Sequence, residues 1–336
     1  MILFYVSGHG FGHATRTVPI IESLVARRGF RMDIAVRSAA PAWLFGDRVR
    51  YQRVLIEPRV AEAPGALSVD AAGSAAAVRE FAAGLDEVVE REAAWVRSNG
   101  VRAIYADIPF IAGFIGKAAG IPVIAAGNFL WNWILADQPG IGVIAEGYAL
   151  CDLALRYPLS HDEGWEIFRR SEQVPLVTPR SKRDRDEIRA ELGLSGESRA
   201  VVLVGGRARL EPEAEARIRG TCSDFVFLSA EMLPNYHDLV RASDVVVSKA
   251  GYSIVAECIA EGRPLLYPPR TGFREEEMLM RSAERLMRCA PIAESLWRAG
   301  EWGGGLRRLL AMPGPPDFID THGAEFCAEI LIKTAV

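Results

Sequence analysis

The residues best suited to chemistry lie in a glycine-rich segment near the start of the chain, where His9 and His13 alternate with glycines. The segment Gly8-His9-Gly10-Phe11-Gly12-His13-Ala14-Thr15-Arg16 follows the apolar run Ile2 to Val6, which is typical of a first strand. A glycine turn between a strand and a helix presents backbone N–H groups and the positive helix end to a ligand. A neutral imidazole can also accept a proton. The segment therefore indicates either phosphate binding or proton abstraction.

Three common ligands fit this segment poorly. A dinucleotide fingerprint needs a glycine where His13 stands and an acidic residue after the second strand, where the chain has Arg37 and Ser38. The sequence also lacks the glycine, lysine and hydroxyl pattern of a P-loop. Two histidines four residues apart share a face only in a helix, which a glycine turn does not provide. We therefore expect no nicotinamide cofactor, no P-loop nucleotide and no metal.

Composition narrows the class of protein. The 336 residues carry a formal net charge of -4, with 50% hydrophobic and 24% charged residues, which favours a soluble globular enzyme that does not bind nucleic acid. The five cysteines are odd in number and lack Cys-x-x-Cys spacing, so we expect reduced thiols and a cytoplasmic location. We expect neither a signal peptide nor a transmembrane segment, since no apolar run approaches ~20 residues.

Apolar β-rich runs alternate with helical patterns, which predicts α/β architecture with parallel sheets. An N-terminal domain is predicted over 1–157, a linker over 158–180, a second domain over 181–316, and a C-terminal helix over 317–336 that crosses back. The predicted long helices are Ala71 to Ser98, Ser181 to Leu192 and Phe318 to Lys333. The predicted strands are Ile2 to Val6, Met32 to Val36, Tyr51 to Leu55, Ala103 to Ala106, Val123 to Ala126, Leu153 to Arg156, Ala200 to Val204, Phe225 to Leu228, Asp244 to Val247 and Leu265 to Tyr267.

The second half contains a strand, glycine turn and helix that resemble a known signature. The residues are Val246-Val247-Ser248-Lys249-Ala250-Gly251-Tyr252-Ser253-Ile254-Val255-Ala256-Glu257, followed by Gly262-Arg263-Pro264. They resemble the nucleotide-sugar signature of GT-B glycosyltransferases, similar in pattern to the bacterial N-acetylglucosaminyltransferase that completes lipid II. The resemblance implies two doubly wound Rossmann-like domains facing a central cleft, with a nucleotide-diphosphate sugar, UDP-linked, as substrate and no cofactor.

The resemblance also implies donor-binding residues. The glycine turn would face the diphosphate, and Glu257 would accept hydrogen bonds from both ribose hydroxyls. Arg207 would neutralise the leaving diphosphate, with a solvent-facing arginine as the open alternative. The family's pair of sugar-reading glutamines falls at Glu276 and Glu277, which can only accept when ionised, so the sugar stays undetermined. The implied donor set is Gly205, Gly206, Arg207, Ser248, Lys249, Ala250, Gly251, Tyr252, Ser253, Glu257, Arg270, Glu276 and Glu277.

The first half resembles a narrower group. The Gly8 to Arg16 segment, with Asp107-Ile108-Pro109, Asn128-Phe129-Leu130-Trp131 and Gly251-Tyr252-Ser253, looks very like the glycosyltransferase-like N-terminal half of plant L-arabinokinases and its stand-alone bacterial relatives. The kinase half has no counterpart here, so arabinokinase activity is not implied.

Catalytic roles follow from this resemblance. His13 would act as general base on an acceptor hydroxyl, with His9 as a second candidate, and Asp107 would orient the histidine. Each has an open structural alternative: a helix-start histidine bonded to backbone carbonyls, and for Asp107 an N-cap of the helix near Pro109. The acceptor-side candidates are Gly8, Gly10, Phe11, Gly12, Arg16, Asn128 and Trp131, of which Arg16 would face phosphate.

Two further segments have competing interpretations. The run Phe129 to Leu135 could form an apolar acceptor lip or a peripheral membrane contact, or it could be core. Asp184-Arg185-Asp186 matches a metal-binding Asp-x-Asp motif, but its position in a charged helix favours a solvated helix turn.

The expected function is an inverting, metal-independent glycosyltransferase. A nucleotide-sugar 2-epimerase and a non-catalytic sugar-nucleotide-binding regulatory module are the alternatives, because a fold can serve several functions. The acceptor and the oligomeric state are not readable from the sequence.

Overall fold

The computed structural model describes residues 1–58, 70–197, 199–205 and 212–336. The chain forms two compact units: unit 1 contains Met1–Thr178 and Asp320–Val336, and unit 2 contains Pro179–Ile319. Each unit is a parallel sheet with helices between successive strands, so the predicted α/β class is confirmed.

Unit 1 is built on a seven-stranded sheet. Its strands are β1 (Ile2–Val6), β2 (Ile34–Ser38), β3 (Arg50–Arg53), β4 (Ala103–Asp107), β5 (Val123–Gly127), β6 (Leu153–Arg156) and β7 (Ser171–Gln173). Its helices are α1 (Gly12–Ala26), α2 (Ala71–Ala83), α3 (Leu85–Ser98), α4 (Ile111–Ala119), α5 (Trp131–Ile134), α6 (Gly142–Ala149) and, from the end of the chain, α14 (Gly323–Ala335). Short 3₁₀ helices occupy Ala42–Leu44 and Trp165–Ile167.

Unit 2 is built on a five-stranded sheet. Its strands are β8 (Ala200–Val204), β9 (Phe225–Ser229), β10 (Val245–Val247), β11 (Leu265–Tyr267) and β12 (Cys289–Pro291). Its helices are α7 (Arg185–Glu191), α8 (Pro212–Thr221), α9 (Tyr236–Ala242), α10 (Tyr252–Glu261), α11 (Arg274–Ala283), α12 (Glu294–Ala299) and α13 (Gly303–Leu310). Trp297 and Trp302 stack at 5.0 Å in a core cluster with Val202, Val247 and Leu266.

Both sheets have a point where the strand order changes direction. In unit 1 the order is β3-β2-β1-β4-β5-β6-β7. The first three strands are added in one direction from β1 and the later strands in the other direction from β4, so the change lies between β1 and β4. In unit 2 the order β12-β11-β10-β8-β9 places this point between β8 and β10. The loops at the carboxyl ends of such strands diverge and leave a crevice, where open α/β sheets bind their ligands. The candidate site residues follow these strands.

The structure corrects several details of the predicted elements. The segment 71–98 is two helices rather than one, because the chain breaks at Gly84, which has φ -106° and ψ 11°. β7 and β12 were not predicted, because Ser-Glu-Gln in β7 and Cys-Ala-Pro in β12 lack the β-branched and aromatic residues that mark a strand. The helix expected from Ser181 begins at Arg185, because the Asp184 side chain caps it by accepting from the N–H groups of Asp186 and Glu187. Asp184 therefore acts as an N-cap and not as an interior helix residue.

Candidate functional site

The carboxyl ends of β1 and β4 lie side by side and bring the first glycine loop next to Asp107. Val6 is paired with Asp107 in the parallel register, and the Ser7 N–H donates to the Asp107 carbonyl at 3.2 Å. β1 is buried along its whole length, so its apolar side chains fix the strand in the core. The chain then turns through Gly8 to Phe11 and enters α1, whose second residue is His13.

His13 and Asp107 form a hydrogen-bonded pair. His13 Nδ1 lies 2.9 Å from Asp107 Oδ1, and Asp107 is fully buried. Within the described part of the chain, no hydrogen bond engages the other ring nitrogen, Nε2. A carboxylate at Nδ1 and an available Nε2 is the arrangement in which an imidazole can accept a proton from a hydroxyl.

Arg16 completes this cluster from the next turn of α1. Its Nε donates to Asp107 Oδ2 at 2.7 Å and its Nη2 donates to Oδ1 at 2.5 Å, a bidentate ion pair. Thr17 adds a weaker hydroxyl contact to Oδ2 at 3.3 Å. The pKa of Asp107 is lowered: burial alone would raise it, but the charge and hydrogen bonds of Arg16, helped by His13, outweigh burial. Asp107 is thus ionised at neutral pH.

The same geometry favours one tautomer of His13. Arg16 Nη2 also lies 2.9 Å from His13 Nδ1, so Nη2, Nδ1 and Asp107 Oδ1 form a nearly equilateral triangle. Seen from Arg16 Nη2, the directions to Nδ1 and Oδ1 differ by about 60°, whereas the two N–H bonds of Nη2 diverge by about 120°. Nη2 therefore cannot donate a well-aligned hydrogen bond to both atoms. The shorter contact to Oδ1 takes the Arg16 proton, so the neutral imidazole would have its proton on Nδ1, directed at Oδ1, and its lone pair on Nε2.

Asp107 is not the N-cap of the helix that follows it, α4. The following helix, α4, starts at Ile111 after Phe110 and has no side-chain cap. Ile108, between them, has φ 83°, a left-handed conformation that is unfavourable for a β-branched residue. The Tyr148 hydroxyl donates to the Ile108 carbonyl at 2.8 Å and supports this strained turn. The turn directs the chain away from Asp107 and leaves its carboxylate facing α1.

Arg16 and Asn128, two residues that were expected to lie on the acceptor side of the site, are buried. Arg16 is 2% exposed, with its guanidinium 5.0 Å from the ring centroid of Tyr157. Its Nη1 donates to Asn128 Oδ1 at 2.6 Å, and Asn128 is also buried. The prediction that Arg16 faces phosphate is therefore wrong, because its charge is neutralised by Asp107. Asn128 positions Arg16 in this structure.

The remaining residues of the first loop are at least partly exposed. Gly8, Phe11 and Gly12 are half-buried, and Gly10 is exposed with φ 75°, which favours glycine.

His9 Nε2 lies 3.0 Å from the Pro58 carbonyl oxygen, and the His9 ring packs edge-on against Trp131 at 5.6 Å. Trp131 in turn packs against Phe129, which packs against His13. The loop therefore has His9, Trp131, Phe129 and His13 along one continuous row of rings.

Glu57 is a site residue that sequence reasoning missed. It follows β3, and its Oε1 accepts from the Gly8 N–H at 2.7 Å. The side chain is buried, and Oε2 has no hydrogen-bond partner in the described ranges. In the sequence, Glu57 follows a predicted strand and precedes a proline, as Asp107 does. The structure of β3 was needed to show that Glu57 lies beside Gly8.

The aromatic run after β5 is mostly core. Phe129, Leu130, Trp133 and Leu135 are buried, whereas Trp131, Asn132 and Ile134 are partly exposed. Burial of these four apolar residues agrees with the core alternative. Within this run, Trp131 presents a partly exposed indole beside His9 of the first loop.

In unit 2 the loops after β8 and β10 are adjacent. The Gly205 N–H donates to the Val247 carbonyl at 2.9 Å. A Cβ on Gly205 would lie 2.2 Å from the Tyr236 hydroxyl oxygen, so a side chain there would require the Tyr236 ring to shift. Gly251 is different: its φ is -96° and a Cβ would meet no described atom within 4 Å. Neither backbone conformation nor packing of the described residues requires a glycine at 251, which favours close approach of a ligand.

Glu257 lies on α10 and is buried, with one described contact that was not predicted. Its Oε2 is 2.9 Å from Nδ1 of His237, on the first turn of α9. Both side chains belong to unit 2, and Tyr236 beside His237 packs towards Gly205. Burial, followed by the Glu257 charge, raises the pKa of Tyr236 well above its usual range, so its hydroxyl stays protonated.

The two acidic residues at the positions predicted to read the sugar, Glu276 and Glu277, have different surroundings. Glu276 is buried and accepts from the Arg270 backbone N–H at 2.8 Å and from its Nε, while Arg270 Nη2 donates to the Ala250 carbonyl at 3.0 Å. Glu277 is 79% exposed and pairs with Arg281 at 2.8 Å. An open cavity of about 580 Å³ adjoins them, with a lining that includes Tyr267, Arg270, Phe273, Glu276, Glu277 and Arg281.

The other expected donor residues are placed as follows. Ser248, Ala250 and Tyr252 are buried, whereas Lys249 and Ser253 are half-buried at the loop and the first turn of α10. Gly206 and Arg207 lie outside the described residues. Within the described ranges, no three His, Cys, Asp or Glu side chains are grouped as metal ligands would be. None of the helices described is long and apolar enough to span a bilayer.

The chain is similar to two curated proteins. It is 29% identical over 364 residues to the L-arabinokinase of Arabidopsis thaliana, a match covering 99% of this chain and 34% of that protein. It is 23% identical over 292 residues to an uncharacterized glycosyltransferase of Methanopyrus kandleri, covering 73% of this chain and 79% of that protein. The chain thus spans about a third of the length of the L-arabinokinase. No protein-family model matches it.

Solved structures identify the fold. Arabidopsis thaliana UGT89C1 complexed with UDP superposes with a TM-score of 0.61 at 13% identity, covering 100% of this chain and 99% of that one. Phytolacca americana UGT2, complexed with UDP-2fluoro-glucose and pterostilbene, gives 0.60 at 13%, covering 99% and 94%. MurG of Acinetobacter baumannii gives 0.57 at 12%, covering 99% of each chain. The chain has the two-domain GT-B fold, and the predicted resemblance to L-arabinokinase is confirmed.

Proposed function

We propose that this protein is an inverting, metal-independent glycosyltransferase that uses a nucleotide-diphosphate sugar, UDP-linked, as donor. The observation that carries the proposal is the His13–Asp107 pair, at the carboxyl edge of the unit 1 sheet, in a chain with the GT-B fold. The names of the relatives support the same class: one is a glycosyltransferase, and two of the similar structures contain UDP or a UDP-sugar.

In the proposed step, His13 Nε2 takes the proton of an acceptor hydroxyl while Asp107 holds Nδ1. The acceptor O–H bond breaks, its oxygen forms a bond to the anomeric carbon, and the bond from that carbon to the diphosphate breaks. The leaving nucleoside diphosphate takes the electron pair of that bond. Attack from the face opposite the leaving group inverts the configuration. Asp107 stabilises the imidazolium that forms, and its lowered pKa keeps it ionised to do so.

Unit 2 supplies the donor contacts in this proposal. The turn at Gly251 opens α10 and leaves space at a glycine that the described protein atoms do not require. A helix N-terminus attracts the diphosphate, and Glu257, six residues on, accepts from the ribose hydroxyls. His237 holds the Glu257 carboxylate through Nδ1 at 2.9 Å and limits its rotation.

The test separates binding from chemistry. Isothermal titration with UDP and a UDP-sugar panel should detect binding to the wild type and His13→Ala, with weakening of about 10- to 100-fold in Glu257→Ala. Transfer should fall about 10²- to 10⁴-fold in His13→Ala. Glu294→Ala, which alters an exposed ion pair with Arg298 on α12 outside the donor set, is the matched control for Glu257. Activity that survives EDTA and yields an inverted product supports the mechanism, whereas full transfer by His13→Ala refutes it.

One observation favours a second candidate, a sugar-nucleotide-binding regulatory module. At the position where related enzymes read the sugar, Glu276 is engaged by Arg270 on both oxygens. A module that binds the nucleotide without turning over the sugar would tolerate this arrangement. Tight UDP-sugar binding to the wild type without transfer to any acceptor in a broad panel would support the module instead of the enzyme.

A further inference from the structure

Glu57 occupies the position in which a glycine loop would hold a phosphate. Its Oε1 accepts from the Gly8 N–H at 2.7 Å, and the residue is 3% exposed. Backbone N–H groups at a glycine turn before a helix are the donors that bind phosphate oxygens in other proteins. Here the protein's own carboxylate engages that donor, and its negative charge lies at the place where an anion would bind.

The second oxygen of Glu57 still lacks a donor. Oε2 is buried, and none of the described residues hydrogen-bonds to it. The His9 ring is near, with Nε2 3.7 Å from Oε1, but Nε2 is closer to the Pro58 carbonyl oxygen at 3.0 Å. A buried polar atom without a partner costs about 1 to 3 kcal/mol, and more when it carries charge. A ligand that donates an O–H bond to Oε2 would regain this energy.

The arginine closest in sequence to the loop does not offset the Glu57 charge. Arg16 is the one arginine or lysine of α1, and its guanidinium is held by Asp107 and Asn128. A phosphate at this loop would therefore meet a carboxylate without the Arg16 charge to balance it. Beside the loop, Trp131 offers a partly exposed apolar ring next to His9. Carboxylate, imidazole and indole together suit an uncharged ligand that is rich in hydroxyl groups.

We propose that Glu57 makes the first-loop site selective for an uncharged, hydroxyl-rich acceptor and excludes acceptors with a phosphate near the reacting hydroxyl. One acceptor hydroxyl donates to Glu57 Oε2 once the side chains that cover this atom move aside, while Glu57 Oε1 keeps the Gly8 N–H from binding an anion. The inference rests on the proposed function only in treating the ligand as an acceptor; the exclusion of anions is a property of unit 1 alone.

The first experiment uses inorganic phosphate as the probe and needs no turnover. The Gly8 amide is followed in ¹⁵N–¹H spectra of the full chain during a phosphate titration of the wild type, Glu57→Ala and Glu80→Gln, whose side chain is exposed on α2. We expect no saturable shift of the Gly8 amide in the wild type or Glu80→Gln, and a saturable shift in Glu57→Ala. A saturable Gly8 shift in the wild type overturns the proposal, even if Glu57→Ala fails to fold.

The second experiment compares transfer to a hydroxyl acceptor and to its phosphate monoester. Glu57→Gln keeps the side-chain shape and an oxygen for Gly8 but removes the charge. We expect the ratio of kcat/KM for the neutral over the phosphorylated acceptor to fall about 10- to 100-fold in Glu57→Gln. An unchanged ratio overturns the proposal. If no acceptor is turned over at all, the proposed function fails while the phosphate titration still decides the role of Glu57.

Discussion

Arg16 and Asp107 form a bidentate ion pair that is almost completely inaccessible to solvent, with Nε–Oδ2 at 2.7 Å and Nη2–Oδ1 at 2.5 Å. The pair joins α1 to the end of β4, directly below His13. Both carboxylate oxygens are engaged, so the orientation of Asp107 is fixed before any ligand binds. His13, Asp107 and Arg16 therefore form a cluster of three side chains in which Arg16 neutralises the carboxylate and favours one tautomer of His13, the proposed base.

Removing one member of this ion pair should be costly. Arg16→Met leaves a buried carboxylate with His13 as its remaining ionisable partner, and we expect a loss of about 3 to 5 kcal/mol in the free energy of unfolding. Arg16→Lys keeps the charge but cannot form the fork, so about 1 to 2 kcal/mol should be lost. Urea denaturation measures both, with exposed Arg91→Met as control. Equal stability of Arg16→Met and the wild type would contradict a functioning ion pair.

The lowered pKa of Asp107 predicts the pH range in which this pair stabilises the fold. The folded-state pKa lies below the ordinary value of 3.8, so the stabilisation is complete above that value and is lost as the pH falls through the folded-state pKa. We expect the stability difference between wild type and Asp107→Asn to shrink as the pH falls below about 4. Denaturant titrations between about pH 5.5 and about pH 3 measure this difference, and a difference that does not shrink on acidification would be inconsistent with an Asp107 that is ionised in the folded state.

Gly205 and Tyr236 should show coupled effects. A Cβ at position 205 would lie 2.2 Å from the Tyr236 hydroxyl oxygen, so Gly205→Ala forces a shift and should cost about 1 to 3 kcal/mol. Tyr236→Phe removes the oxygen atom and should restore part of this loss in the double variant. A double-mutant cycle gives the coupling energy, for which we expect at least about 0.5 kcal/mol. Purely additive effects would mean that the two side chains do not meet.

Substitutions of the adjacent residues Glu276 and Glu277 should have very different effects on UDP-sugar binding. Glu276→Gln weakens the buried contact with Arg270, which also donates to the Ala250 carbonyl, so UDP-sugar binding should change by about 3- to 30-fold. Glu277→Gln alters an exposed pair on the surface of α11 and should leave binding within about twofold. Calorimetric titration with one UDP-sugar compares them. Similar effects of the two substitutions would remove the support for a role of Arg270 at the Ala250 loop.

Local sequence patterns determined much of this protein. The alternation of apolar runs and helical segments predicted two parallel sheets, and the strands β1, β6, β8 and β11 begin and end where they were expected. The spacing from Gly251 to Glu257 predicted a glycine turn before a helix, and α10 starts at Tyr252. These features depend on residues within one strand or one turn of each other, where hydrophobic period and glycine placement act directly on the backbone.

Only the tertiary structure decided which side chains meet. Asp107 is 94 residues from His13 and 91 from Arg16 in the chain, and Glu57 is 49 from Gly8. The sequence left Asp107 between an N-cap and a partner of histidine, assigned Arg16 to phosphate, and gave no sign of the Glu257–His237 contact. Parallel strand order and register bring these distant loops to one sheet edge in each unit. There, the need of every buried charge for a partner determines the pairing.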